Sequence, residues 1–402
     1  MTGGSEWTWH LRSELIKRVQ KYPTEIIIAE MLIWYYVQLE DFAGALVQAE
    51  ALDRRRNEDG DRIIKLGLLA VSSHDYIAAI NCFEYVIAKG ENSRYYIIAR
   101  RELLSTFNKK ITSEDYTQED LEQLEASYKA AIKELGKSQS MVAIMRGLAH
   151  LQAFYLYNTP DAIILLEEII AMHGVHGKDK ARCKLELADI LVLKGFVWDA
   201  SLFYSQIDKA FKNDPLGHEA KFRNARLFYY TGEFEWAQTQ LDVLKASTSK
   251  LIANDAMELS LLITDNTILD TTTEALLLFA SAELKAFQNK DDSAIMILTS
   301  IEDSFPSHTL IDDIHFKKAE IYEQNRKYEK SIAELAIILE NHAYDIHADD
   351  ALFMMADLYE RKLENREKAM ELYERMLTDY PGSLYVVESR KRFRNLRGDK
   401  LN

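Results

Sequence analysis

The residues best suited to chemistry in this 402-residue chain are histidines and paired carboxylates. His173 and His176 flank Gly174-Val175, a spacing at which two imidazoles can chelate zinc, but no cysteine or carboxylate completes a set of recognised spacing, so both read as solvated loop residues. Asp312-Asp313 and Asp349-Asp350 each open a predicted helix. There a carboxylate satisfies free amides and the helix dipole, so helix capping is expected rather than general acid–base work. The sequence has no HExxH, no GxxxxGK[ST] and no GxSxG. Cys82 and Cys183 lie far apart inside predicted helices and read as small buried apolar groups rather than a disulfide. No catalytic residue, cofactor or metal site is expected.

The elements that carry these residues repeat. In Ala348–Pro381, Leu352, Met355, Ala356 and Tyr359 form one helical stripe, and Ala369, Tyr373, Met376 and Leu377 form a second. Leu363–Arg366 joins the two halves and Pro381 ends the second, because proline lacks the amide hydrogen a helix needs. One such hairpin cannot bury its own stripe and needs neighbours of the same kind. The unit recurs. Tyr36, Phe42, Ala45, Ala49 and Leu52 return one hairpin later as Ala70, Tyr76, Ala79, Phe83 and Val86. IDDIHFKKAEIYE from Ile311 returns one hairpin later, at Ala348, as ADDALFMMADLYE, and Ser281, Ala294, Phe305 and Pro306 return two hairpins later as Ala356, Ala369, Tyr380 and Pro381.

A period of about 34 residues with a small residue in each helix resembles the tetratricopeptide repeat family. Gly67 with Ala79 and Ala225 with Ala237 hold the two small positions at the same separation, and Ala149 with Ala162 and Ala188 with Ala200 mark further hairpins. With only 15 Gly and 5 Pro, most of the chain should be helical. The expected fold is all-α: a right-handed α-α superhelix, a TPR solenoid of about nine helical hairpins. The C-terminal xDDAxF and A[DE][IL]YE segments also resemble repeats of bacterial cell-envelope proteins, of the Tol-Pal-associated and outer-membrane assembly types.

Residues 1–24 read as a half-repeat or N-terminal cap, with MTGGS resembling an added start, which suggests the C-terminal portion of a longer protein. Residues 25–250 form a first repeat block, with an atypical repeat at about 94–136 whose helices are joined by a polar loop, Lys109–Tyr116. Residues 251–273 read as a joint, an unpaired helix from Ile252 to Thr264 and a Thr-rich loop from Asp265 to Thr273. Residues 274–382 form a second block. Residues 383–402 form a basic capping helix and tail, with Val386, Val387 and Phe393 for burial and Arg390, Lys391, Arg392, Arg394, Arg397 and Lys400 solvated.

The resemblance implies a partner-binding groove lined by the first helices of successive hairpins. Counted from each small residue, it would hold Phe222, Arg226, Tyr229 and Tyr230, then Leu185, Asp189, Val192 and Leu193. It would also hold Phe316, Glu320, Glu323 and Gln324, and Phe353, Asp357, Glu360 and Arg361. The competing reading is that these aromatics pack against adjacent repeats. In the first complete repeat Glu30 and Trp34 hold the groove places where family members that grip a chaperone's C-terminal carboxylate carry Lys and Asn, so that ligand is not expected, and Trp34 is itself a candidate groove contact.

Aromatics beside carboxylates suit a protein or peptide partner with apolar anchors and basic flanks. The net charge of −15 argues against a nucleic-acid partner. No stretch reaches the roughly 18 apolar residues of a membrane span. The expected role is a noncatalytic protein-interaction scaffold, or else the recognition arm of a larger enzyme or signalling protein. The expected compartment is periplasmic or envelope-associated if a signal lies upstream, and cytoplasmic otherwise.

Overall fold

The computed structural model describes residues 3–113, 116–246, 250–268 and 273–399. Among them are 21 α-helices, one short 3-10 turn and no strand. The helices pack as consecutive antiparallel hairpins, the all-α solenoid arrangement that the sequence period demands. The chain divides into two compact units, residues 1–190 and 191–402. The sequence placed its joint elsewhere, at 251–273.

The first unit contains α1 (Gly3–Lys21), α2 (Ile26–Gln38), α3 (Phe42–Arg56), α4 (Asp61–Ser72) and α5 (Tyr76–Ile87). It continues with α6 (Tyr96–Ser113), α7 (Gln118–Leu135), α8 (Val142–Phe154), α9 (Thr159–Ala171) and most of α10 (Gly177–Lys194). The loop expected at Lys109–Tyr116 is largely helix, because α6 runs on to Ser113; Glu114 and Asp115 lie outside the described residues. The Thr117–Asp120 capping box then starts α7.

The second unit contains α11 (Val197–Ala210), α12 (Pro215–Tyr230), α13 (Phe234–Lys245), α14 (Lys250–Ile268), α15 (Glu274–Phe287) and α16 (Asp291–Ser304). Then come α17 (Ile311–Gln324), α18 (Tyr328–Asn341), α19 (Ala348–Arg361), α20 (Arg366–Asp379) and α21 (Val386–Arg397). The helix at the expected joint packs on α13 and contributes Ala256 and Ile263 to the core, and it extends to Ile268. Of the Thr-rich loop, 269–272 lie outside the described residues.

The small positions work as their chemistry requires. Ala45, Ala79, Ala149, Ala162, Ala188, Ala200, Ala225, Ala237, Ala294, Ala319, Ala356 and Ala369 are all fully buried. A Cβ added to Gly67 would stand 2.7 Å from Phe83 Cε1, so only glycine lets α4 and α5 approach this closely. Near Ser281 the buried small residue is the adjacent Ala282.

Among the described residues, eight hairpin turns each reverse through one left-handed residue. Only Gly195 and Gly232 are glycines; Glu40, His74, Tyr157, Asn289, Arg326 and Glu364 adopt φ of 50–62° at the equivalent place. A side chain there costs roughly 1–2 kcal/mol, which hairpin packing must offset.

The paired aspartates lie in the first turns, where Asp312 bonds its own backbone amide, and not at the N-cap positions. His347 and Leu310 occupy the N-cap positions of α19 and α17, neither capping through its side chain, and the aspartates stand one to three residues inside. Their partners lie one repeat onward. Tyr385 Oη donates to Asp350 Oδ1 (2.7 Å), His347 Nε2 meets Asp313 Oδ1 (3.0 Å), and in the first unit Tyr95 Oη donates to Asp61 Oδ1 (2.8 Å). These rungs tie the first helix of one hairpin to the residue leading into the next.

Candidate functional site: the first-helix faces

In the second unit the expected groove residues are engaged by neighbouring repeats. Tyr229 is fully buried and donates from Oη to Glu283 Oε2 (2.8 Å). Lys317 Nζ bridges Glu283 Oε1 (3.2 Å) and Glu320 Oε2 (2.6 Å), which links α12, α15 and α17. Burial, with Glu283 beside it, pushes the Tyr229 phenol well above its ordinary value. Burial alone would pull Lys317 down, but Glu283 and Glu320 outweigh it and raise the ammonium. The Arg226 guanidinium lies 5.8 Å from the Phe222 ring centre, 6.0 Å from Tyr230 and 5.9 Å from Phe287. Phe316 stacks on His347 with centroids 4.7 Å apart, and Phe353 stacks on Tyr385 at 4.3 Å.

Arg392 of the last helix closes this face. Its Nε donates to Glu388 Oε1 (2.9 Å), and its Nη1 donates to Tyr373 Oη (3.0 Å), to Glu360 Oε2 (3.3 Å) and, closely, to Asp357. The terminal helix is therefore not uniformly solvated on its basic side. Val387, expected inside, is 75% exposed, while Phe393 packs against the core; Lys400 lies outside the described residues.

The first unit differs. Trp34 on α2 is 61% exposed, and Leu68, at the same register position one repeat later on α4, is 43% exposed. One more step of the repeat reaches Glu102 on α6, at the edge of a cleft of about 420 Å³. Its walls include Arg101, Glu102 and Ser105 of α6, Arg146 and His150 of α8, and Glu186 of α10. Glu186 accepts from His150 Nδ1 (2.6 Å) and stands 3.9 Å from Arg146 Nη1. Tyr128 of α7 forms the floor, its hydroxyl admitted because residue 147 is glycine: a Cβ there would lie 2.9 Å from Tyr128 Oη. Burial pushes that phenol up to about 12.

Sequence reasoning passed over this cleft because α6 and α7 depart from the repeat consensus. Stepping on from Trp34 by the period would have found its rim. Of the other expected positions, Leu185 and Val192 are buried.

Residues 350–383 match the family model described as Tetratricopeptide repeat. This stretch is a tetratricopeptide repeat. The match names the repeat and no cell-envelope system. No curated protein matches the chain by sequence.

Solved structures similar to this chain include the apo form of the quorum sensor NprR from B. thuringiensis, with 11% identity, TM-score 0.40, and coverage of 83% of this chain and 98% of that one. A tetratricopeptide repeat protein from Parabacteroides merdae ATCC 43184 is similar at 11% identity and TM-score 0.26, covering 85% of this chain and 99% of that one. The human IFIT1 dimer with m7Gppp-AAAA is similar at 14% identity and TM-score 0.36, covering 97% of this chain and 85% of that one.

The IFIT1 structure corrects one expectation. The expectation of no nucleic-acid partner is withdrawn, because one structure to which this chain is similar, IFIT1, holds m7Gppp-AAAA. At these identities and TM-scores, nothing that these proteins bind is carried over to this chain.

No helix among the described residues is long and apolar enough to cross a membrane.

Proposed function

We propose that this chain is a noncatalytic protein-interaction scaffold whose partner docks on the first-helix face of the first unit, along Trp34, Leu68 and the Arg101–Arg146–His150 cleft. The observation that carries the reading is the pair Trp34 and Leu68, large apolar side chains exposed at equivalent positions of successive hairpins and leading toward a polar cleft. Exposed aromatic anchors beside arginines are the side chains that concentrate binding energy at protein interfaces. On the second unit, the groove positions Arg226, Tyr230, Phe316, Phe353, Asp357 and Glu360 contact the next repeat, while Phe222 and Glu320 meet Arg226 and Lys317 of their own helices. There they would shape a docking surface rather than supply its anchors.

The test uses the full chain as bait to identify a partner, followed by the affinity of that purified partner for a Trp34→Ala/Leu68→Ala/Arg146→Ala variant shown by circular dichroism to be folded. At least a tenfold loss is expected. Unchanged affinity would remove this face from consideration.

A further inference from the structure

Of the three repeat-to-repeat rungs, two use a tyrosine hydroxyl and one carboxylate; the third uses an imidazole and brings a second carboxylate with it. His347 Nε2 lies 3.0 Å from Asp313 Oδ1, and donor atoms of Asp312, Asp313 and His347 all fall within 4.8 Å of one another. Asp312 is only 5% exposed, and its carboxylate accepts a hydrogen bond from its own backbone amide. One neutral amide compensates a buried carboxylate poorly compared with a cation. The charges acting on it most strongly are Asp313, His347 and Asp345, two of them of its own sign. The imidazole is oriented by its stack on Phe316, with ring planes 8° apart.

We propose that Asp312, Asp313 and His347 form a site for one divalent transition-metal ion that clasps α17 to the start of α19. Two carboxylates and one imidazole, with no thiolate, suit zinc best and leave a position for water. Calcium and magnesium are disfavoured, because they seek six or more oxygens. Donors about 2 Å from a shared ion stand about 3.3 Å apart, so a turn of the Asp312 carboxylate closes the remaining gap.

A second cluster, Glu302, His315 and Glu334, has comparable spacing. It already holds a cation: the nearly buried Lys318 ammonium pairs with Glu302. It therefore serves as the internal control.

The experiment is calorimetric titration of the chelator-stripped full chain with zinc chloride, with bound metal counted after dialysis. One tight equivalent is expected, with a rise in Tm, and a tenfold excess of calcium or magnesium should not displace it. His347→Tyr restores the rung seen in the other repeats, so it should fold normally and weaken the tight equivalent at least tenfold; Asp312→Asn should do the same. His315→Gln and His173→Ala should leave it unchanged. The absence of a tight equivalent in the wild type, its survival in His347→Tyr, or its loss in His315→Gln would each overturn the proposal.

Discussion

The first-helix faces of the two units are built from the same repeat and do opposite things with it. In the second unit, Tyr229, Phe316, Phe353, Asp357 and Glu360 reach the next repeat and are consumed there, by Glu283, His347, Tyr385 and Arg392. In the first unit, Trp34 and Leu68 are left to solvent and Arg101, Arg146 and His150 line a cleft. A register position on a helical repeat therefore does not fix whether its side chain binds a partner or the next hairpin. What decides is the side chain one repeat onward, and in the second unit those are rings and guanidinium groups of matching shape and charge.

The contrast is most easily broken at Arg392. Arg392→Ala leaves Asp357 and Glu360 half-buried without their clasp, and after allowance for solvent screening the second unit should lose about 2 kcal/mol, read by chemical denaturation. A loss below about 0.5 kcal/mol would mean that the face is not closed from the C-terminal side.

Tyr229→Phe removes one hydroxyl from a sealed site where Glu283 keeps Lys317, and should cost about 1 kcal/mol in the same assay while leaving partner affinity untouched. Weakened binding at unchanged stability would return Tyr229 to the set of contact residues.

The Glu323 carboxyl is raised by burial and then by Asp357. The native state thus holds its proton more tightly than the unfolded chain, so its contribution to stability is fully present below the unfolded pKa of about 4.3 and is lost as pH rises through the raised value. Glu323→Gln should therefore raise Tm more at pH 7 than at pH 4; an equal shift at both would rule the coupling out.

The smallest effect on stability should come from Trp34→Ala, within about 0.5 kcal/mol because the ring is largely solvated. A larger loss would show that the first unit's face is structural too.

The fold was legible because its causes are local and periodic. Alanines placed one on each helix of a hairpin force close helix contact, and each of those named from the sequence is fully buried. The site was less legible because side-chain occupancy is set across repeats. Nothing near Asp349-Asp350 shows that Tyr385, a full repeat onward, supplies a hydroxyl to Asp350, so the rung that Asp350 forms is hidden behind its first-turn position. Arg392 sits in a run of basic residues that reads as solvated, yet its guanidinium finds two carboxylates on α19. The left-handed residues at the hairpin turns escaped notice for another reason. Six of the eight are not glycine, and composition marks such a place only when it is.

The Arg392 clasp also has a mechanical meaning. In a solenoid each hairpin leans mainly on its neighbours, so a load applied at one end is borne by the outermost contacts first. For a pull on the C-terminus, those are the bond from Arg366 to the Leu396 carbonyl and the bonds from the Arg392 guanidinium to Asp357, Glu360 and Tyr373. Together they act as a latch. Once it opens, the Tyr385–Asp350 rung and then the His347–Asp313 rung take the load in turn, so the second unit should yield from its C-terminal end in repeat-sized steps.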